Sequence, residues 1–475
     1  MSVFDGISPQ KVWEFFELVC SIPHPSGHEA ALAGKLAEIA AGYGLSCRQD
    51  AAGNLRIDRP AAPGFEKSPL VLLQAHLDMV PLAENSDFDF ITTAITPYID
   101  GDWVRARGTT LGADDGIGVA LAMALLCDKN VECGPVSALF TVDEEVGLTG
   151  ASAVAPELLA GKYLINLDGG PDGSACIGCA GGARTEFKVT PEWENIVSGQ
   201  EVRITLSGMK GGHSGICIHE NRGNAIKAMA DFLLGQPELR IVSLDAGQAD
   251  NAIPAEIVCR AAFSGDIAVL KQAANLCAAL LNRELAIDSV TVDVVPEPIA
   301  CKKVFSSEFQ KKLLSALSMV PNGALEMDDK LQIVRSSSNM AAIATSDDVV
   351  TIRTSQRSLD DERRMLTTAM ITAHFEAIGA VAFCGNCYPG WKPQPESRLT
   401  GVCAALWEKR SGKPMKLGAI HAGLETGAFS KKNPDLELIS IGPEAHAYHT
   451  PQECLSISST CRFYDYLIDV VKALA

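Results

Sequence analysis

Three segments decide the fold: residues 69–78, PLVLLQAHLD; residues 136–145, VSALFTVDEE; and residues 163–168, YLINLD. In each, a short apolar run ends abruptly in acidic or imidazole side chains. Continuous apolar runs of this length suit strands buried on both faces, as in a parallel sheet between helices. The pattern predicts strands at Pro69–Ala75, Val136–Val142 and Tyr163–Leu167, with a helix at Gly116–Leu126 between the first two. In open α/β sheets the ligand sits beyond the carboxyl ends of the strands. These three strands deliver His76, Asp78, Glu144, Glu145 and Asp168 to that edge, where an active site is expected.

Before these strands, Ser26-Gly27-His28-Glu29 has the serine-x-x-glutamate form of a capping box ahead of an Ala/Leu-rich helix that ends near Gly42. Two short strands are expected at Leu45–Arg48 and Asn54–Ile57. Beyond Arg184 helix and strand signals alternate. Strands are expected at Val202–Leu206, Ile257–Ala262, Ser289–Val295 and Val349–Arg353. Helices are expected at Asn224–Leu234, Ile267–Leu281, Ser307–Met319 and Asp360–Ile378. The alternation suggests two similar halves, although no repeat is visible residue by residue. The chain then returns to a strand at Leu436–Ile441 and a helix from Ser456. The expected architecture is an α/β catalytic domain, residues 1–183 and 387–475, with a mixed central sheet flanked by helices. It is interrupted by an α+β lid domain at 184–386.

Composition bounds this reading. At 475 residues the chain exceeds the roughly 250–300 residues that one core supports, so two domains are expected. An apolar fraction of 47% and a charged fraction of 21% are those of an ordinary globular protein. The net charge of −18 repels phosphate backbones, which argues against nucleic acid and anionic membranes as partners. The N-terminus lacks the features of a signal peptide, and no apolar run reaches the roughly 20 residues of a membrane span. Fifteen scattered cysteines suit reduced thiols, so the expected location is the cytoplasm.

The chemistry rests on carboxylates and histidine. His76 and Asp78, two apart on a strand, face one side, and a nearby carboxylate raises the basicity of an imidazole ligand. Adjacent carboxylates at Glu144-Glu145 repel one another unless a cation or separate roles relieve them, so one can bind metal while the other handles protons. Asp114-Asp115 sits among glycines in Leu111-Gly112-Ala113-Asp114-Asp115-Gly116, and Asp168 precedes Gly169-Gly170. Singly, these are also the marks of a surface pair, a helix N-terminus, an N-cap and a turn. Together, at predicted sheet ends, they suit zinc, cobalt or manganese.

The segments HLDMV, TTLGADDGIG, TVDEEVGLTGA, INLD, GGHSG, AIHAGLETG and IGPEAHAYHTPQE resemble the di-zinc aminoacylase/carboxypeptidase G-type metallopeptidase family, and within it the aminoacyl-histidine dipeptidase group. The resemblance runs from the first helix to the last. It implies two Zn2+ per subunit, with Co2+ or Mn2+ as substitutes, and hydrolysis of dipeptides including Xaa-His substrates such as carnosine. By motif, His76 and Asp168 bind one metal, Asp114 bridges both, and Glu145 and His449 bind the second. Asp78 supports His76, Glu144 is the general base, and the Asp114–Asp115 peptide is expected to be cis. His213 is the candidate oxyanion donor, with His219 close behind it. Asn251 and Arg357 are candidates for the peptide carboxylate, with Arg353 as a rival to Arg357, and Glu425 for the substrate ammonium. The resemblance also implies a homodimer through the lid domain. The nearest alternative activity is deacylation of N-acyl amino acids by the same metals; a silent metal- or peptide-binding protein would not need Glu144.

Two CxxC pairs, Cys176-Ile177-Gly178-Cys179 and Cys384-Gly385-Asn386-Cys387, stand apart from this scheme. Four thiolates can bind a structural zinc, but their separation is far outside zinc-ribbon spacing.

Overall fold

A computed structural model describes residues 2–196, 199–287, 289–298, 300–329, 331–346 and 349–475. The chain divides into two compact units. One comprises Met1–Cys179, Trp391–Ala419 and Leu424–Ala475; the other comprises Ala180–Gly390 and Ile420–Gly423.

The first unit is built on an eight-stranded mixed sheet. Val71–His76 pairs in parallel with Val136–Thr141 on one side and Tyr163–Asn166 on the other. Glu437–Ser440 continues the parallel run beside Tyr163–Asn166. Leu55–Arg59 and Ser46–Gln49 add antiparallel strands beyond Val136–Thr141. Val71–His76, Val136–Thr141 and Tyr163–Asn166 are buried throughout, which is why they read as unbroken apolar runs. Ala113–Leu126, apolar throughout after Asp114 and Asp115, is buried on nearly every side. The parallel strands therefore end together, and the chain leaves each as a loop rich in acids.

The expected capping box does not form. The helix Ala30–Gly42 starts after Glu29, which is itself in helical conformation and makes no side-chain cap. Ser26 Oγ instead donates to Asp78 Oδ2 at 2.8 Å. Glu29 Oε1 accepts from the backbone N–H groups of Gly27 and Asp143 at 3.1 and 3.0 Å. The Ser26 hydroxyl thus serves the buried Asp78 carboxylate, and Glu29 ties its own loop to the one that carries Asp143.

The second unit carries a nine-stranded antiparallel sheet covered by helices. Its connectivity contains the same motif twice. Gln200–Ser207, helix Ala225–Leu234, Leu239–Ala246, Ile257–Phe263, helix Ile267–Leu285 and Thr291–Glu297 form a βαββαβ array with strand order 4-1-3-2. Gly181–Val189, helix Ser307–Met319, Ile333–Thr345, Val350–Ser358, helix Asp361–Glu376 and Val381–Tyr388 form a second array of identical order. The first array is inserted after the first strand of the second. They join edge to edge through their second strands, where Ala246 pairs with Ile343. The two halves suggested by the alternation of signals are thus a topological repeat.

Candidate metal centre

The strand Val71–His76 ends with His76 buried and its ring fixed at both nitrogens. Nδ1 donates to the backbone carbonyl of Asp78 at 2.8 Å and lies 3.5 Å from Asp78 Oδ1. That leaves the Nε2 lone pair as the outward-facing ligand atom, 3.0 Å from Asp114 Oδ1. Asp78 also ties two loops together, because its carboxylate accepts from the backbone N–H of Glu144 at 2.9 Å and of Glu145 at 3.1 Å. Burial alone would push the Asp78 carboxyl up. The His76 imidazole, the Glu144 N–H and the Ser26 hydroxyl overcome this and hold it down at about 2.

Asp114 stands at the head of the helix Ala113–Leu126 with extended backbone, φ −84° and ψ 106°, and a cis peptide to Asp115. Gly112 precedes it at φ 69°, and a Cβ there would lie 3.0 Å from the Met79 sulfur, so the turn takes glycine. A residue the sequence reading overlooked pins this loop: buried Glu453 accepts from the backbone N–H groups of Leu111, Gly112 and Asp114 at 2.7, 3.0 and 3.2 Å. The signal was present in the HTPQE segment, but a glutamate aimed at backbone carries no spacing to betray it.

The two oxygens of Asp114 face two different histidines. Oδ1 meets His76 Nε2, and Oδ2 lies 3.3 Å from His449 Nε2. His449 Nε2 is also 3.0 Å from Glu145 Oε1. His446 is engaged elsewhere, with Glu444 at 3.1 Å and its ring against Trp103. Among the described residues, His76, Asp114 and Glu145 form the one group of three or more side chains placed to share an ion. Asp168 and Glu144 belong to the same electrostatic neighbourhood. Burial, then the Asp114 and Asp115 carboxylates, drive Asp168 well above its ordinary range. Burial, reinforced by the carboxylates of Glu425, Glu145 and Asp114 against the opposing pull of His76, pushes Glu144 up to about 8. The same neighbours raise His449 to about 10 through its contacts with Asp114 and Glu145.

This donor set fits divalent metal. Carboxylates crowd around two imidazoles, and Glu145 Oε1 is buried in no hydrogen bond despite its ion-pair contact with His449. A cation offsets the repulsion that, with burial, drives Glu144 and Asp168 toward their protonated forms.

Glu425 lies in the same unit, buried at the start of helix Glu425–Lys432. Its Oε2 accepts from Gln74 Nε2 at 2.6 Å and Thr141 Oγ1 at 3.0 Å, while Oε1 has no partner. Burial pushes its carboxyl up to about 7. Gln74 and Thr141, both within apolar-looking strands, escaped the sequence reading.

The remaining candidates lie in the second unit. Gly212–His213 forms a two-residue ladder with Ala252–Ile253, and Asn251, next to it, accepts from Ser214 N–H through its carbonyl at 2.7 Å. His213 Nδ1 accepts from Gly215 N–H at 3.2 Å, so its proton resides on Nε2, a donor without a partner among the described residues. His219 is exposed. Arg353 is engaged with Asp250 at 2.8 Å. Arg357 differs: it is buried, no carboxylate pairs with it among the described residues, and its Nη1 donates to Tyr388 Oη at 2.6 Å while Nε has no partner. Close to it is His421, overlooked in the AIHAGLETG segment. Its Nε2 meets Ser337 Oγ at 2.6 Å, and burial and the Arg357 charge hold it neutral, at about 3.

A parallel sheet whose ends gather histidines and acids into a cation site, interrupted by an inserted antiparallel unit, defines a class of metal-dependent exopeptidase. The chain belongs to the peptidase family M20/M25/M40, whose model matches residues 72–473. It is 36% identical over 482 residues to cytosol non-specific dipeptidase of Escherichia coli, covering 100% of this chain and 99% of that one. The crystal structure of aminoacylhistidine dipeptidase from Vibrio alginolyticus superposes with a TM-score of 0.92 at 38% identity, over 100% of this chain and 98% of the other. A tripeptidase from Staphylococcus aureus shares the fold at a TM-score of 0.61 and 16% identity, over 98% and 99% of the two chains.

Proposed function

We propose that the protein hydrolyses the amide bond of dipeptides, Xaa-His substrates included, at two divalent metal ions, most suitably zinc. The observation that carries this reading is the Asp114 carboxylate, whose two oxygens address His76 and His449 separately. Asp114 would be the carboxylate shared by two metal ions, with His76 and Asp168 holding one and His449 and Glu145 the other. The full-length likeness to two dipeptidases supports the substrate class.

Metal bound there supplies Lewis-acid polarisation of the scissile carbonyl and of the attacking water. Glu144 accepts the water proton at its carboxylate and delivers it to the leaving amine. Its backbone is pinned by Asp78, so proton carrier and ligand loop move as one piece. His213, whose Nε2–H has no partner among the described residues, supplies a donor for the developing oxyanion. Arg357, assisted by Asn251 and with His219 and His421 nearby, receives the peptide carboxylate, because a buried guanidinium with no carboxylate partner among the described residues favours an anionic ligand. Glu425, with one unpartnered oxygen, takes the substrate ammonium.

The same proposal places the enzyme in the cytoplasm, in keeping with the name of its E. coli relative. No helix among the described residues is long and apolar enough to cross a membrane. A homodimer through the inserted unit has a candidate surface on helix Asp361–Glu376, where Met365, Leu366 and Met370 are exposed. Sedimentation of wild type against M365E/M370E tests it.

The activity is tested by incubating zinc-loaded protein with Ala-His, carnosine, Gly-Gly, a tripeptide and N-acetyl-alanine, and quantifying the amino acids released. Cleavage of dipeptides, abolished in metal-loaded Glu144→Ala, is the expected result. Alanine released from the acetylated compound alone would move the protein to the deacylases.

A further inference from the structure

The thiols of Cys384 and Cys387 lie 3.5 Å apart, and both residues are exposed. In a regular strand, residues three apart face opposite sides at roughly 10 Å separation. Here the strand Val381–Tyr388 breaks register against Gly181–Val189 between Gly385 and Tyr388. That bulge brings the two side chains together on one side, with the Arg364 guanidinium beside Cys387.

The next residue is Tyr388, whose hydroxyl accepts from Arg357 at 2.6 Å. Its ring fills a slot that only glycines leave open. A Cβ on Gly182 would stand 2.4 Å from the ring, and one on Gly423 would stand 2.7 Å from it. A shift of the bulge therefore has little slack to absorb it before it reaches the Tyr388–Arg357 hydrogen bond.

We propose that Cys384 and Cys387 form a reversible modification site for low-molecular-weight disulfides of the glutathione type, and that closing it weakens substrate binding through Arg357. One protein thiolate attacks a sulfur of glutathione disulfide, forming a mixed disulfide and expelling one glutathione thiolate. The second protein thiolate attacks the protein-side sulfur, forming the Cys384–Cys387 bond and expelling the second glutathione. The two protein thiols are oxidised, the glutathione disulfide is reduced by two electrons, and the two thiol protons pass to the departing glutathione thiolates. The sulfurs must close from 3.5 Å to bonding distance, about 2 Å, which pulls on the bulge and on Tyr388 behind it. The effect on binding rests on Arg357 holding the dipeptide carboxylate; the thiol chemistry does not.

The test treats metal-loaded protein with glutathione disulfide or with a phosphine reductant, then alkylates free thiols and maps them by mass spectrometry. The expected result is an internal disulfide on the tryptic peptide carrying both cysteines, and a mixed glutathione adduct at Cys387 in Cys384→Ser. Free thiols at both positions, or two separate adducts, would overturn the site. KM for Ala-His should rise roughly three- to tenfold on oxidation with kcat held, return on reduction, and stay constant in Cys384→Ser. A disulfide that forms without changing KM overturns the link to Arg357. If the reduced enzyme cleaves no dipeptide, the functional reading fails while the thiol map still decides the modification site.

Discussion

Two clusters of buried charge differ in sign: acids outnumber imidazoles around Asp114 in the first unit, and in the second Arg357 has no carboxylate partner among the described residues. In the first, Asp114, Glu144, Glu145 and Asp168 surround two imidazoles, and burial drives two of the four acids toward protonation. In the second, Arg357 is buried with a tyrosine hydroxyl as its hydrogen-bond partner, beside a histidine held neutral. A folded chain tolerates such imbalance where a ligand supplies the missing charge, since burying an uncompensated ion costs several kcal/mol. On the proposed function this is a division of labour, with the first unit taking the cations and the second the substrate's carboxylate.

The largest effect is expected at Glu144. Glu144→Ala should lower kcat by about 10²–10⁴-fold, the range for removing a general base. Elemental analysis should find its metal content unchanged, because the proton carrier is not among the proposed ligands. A variant that loses metal along with activity would make Glu144 a ligand and redraw the cation site. The next largest effect is expected at Glu453. Glu453→Gln keeps the shape but weakens three backbone hydrogen bonds that hold the Asp114 loop. Metal affinity, measured by competition with a chelator, should fall about 10- to 100-fold, as for partners that orient ligands. Unaltered affinity would show that the loop holds Asp114 without it.

The two units were also unequally legible. Parallel strands buried on both faces write themselves as apolar runs, so Val71–His76 and Val136–Thr141 and the acids that end them stood out. The family's motifs then singled out His449, which no spacing could separate from His446. The strand Ile333–Thr345 went unseen because its sequence, IVRSSSNMAAIAT, buries serine and asparagine where a strand signal needs branched apolar residues. Leu239–Ala246 and Gly181–Val189 were missed for a related reason, since charged residues interrupt both. Without those strands the βαββαβ repeat could not be traced, although its helices were in place. His421 and Tyr388 come from loop and bulge, where position depends on tertiary register and leaves no local pattern.

In the second unit the next effect is expected at Arg357. Arg357→Gln removes the charge but keeps much of the side chain, and KM for dipeptides should rise about tenfold or more with kcat less affected, the signature of lost uniform binding. An equal fall in kcat and kcat/KM would instead place Arg357 at the transition state. Dipeptides amidated at the C-terminus, which lack the carboxylate, should feel the substitution least.

The smallest effect is the most discriminating. Tyr388→Phe retains the ring that fits between Gly182 and Gly423 and deletes only the hydroxyl that Arg357 Nη1 addresses. A hydrogen bond of this kind, made to a charged group, contributes about 1.5–3 kcal/mol when wholly lost, but a mobile water can replace part of it. KM should therefore rise by only a few-fold, with the melting temperature nearly unchanged because the packing survives. If KM in Tyr388→Phe matches wild type, the guanidinium is positioned by its strand alone. The opposite outcome, a KM as high as that of Arg357→Gln, would mean that the hydroxyl sets the arginine's position and that the anion site is as finely supported as the cation site.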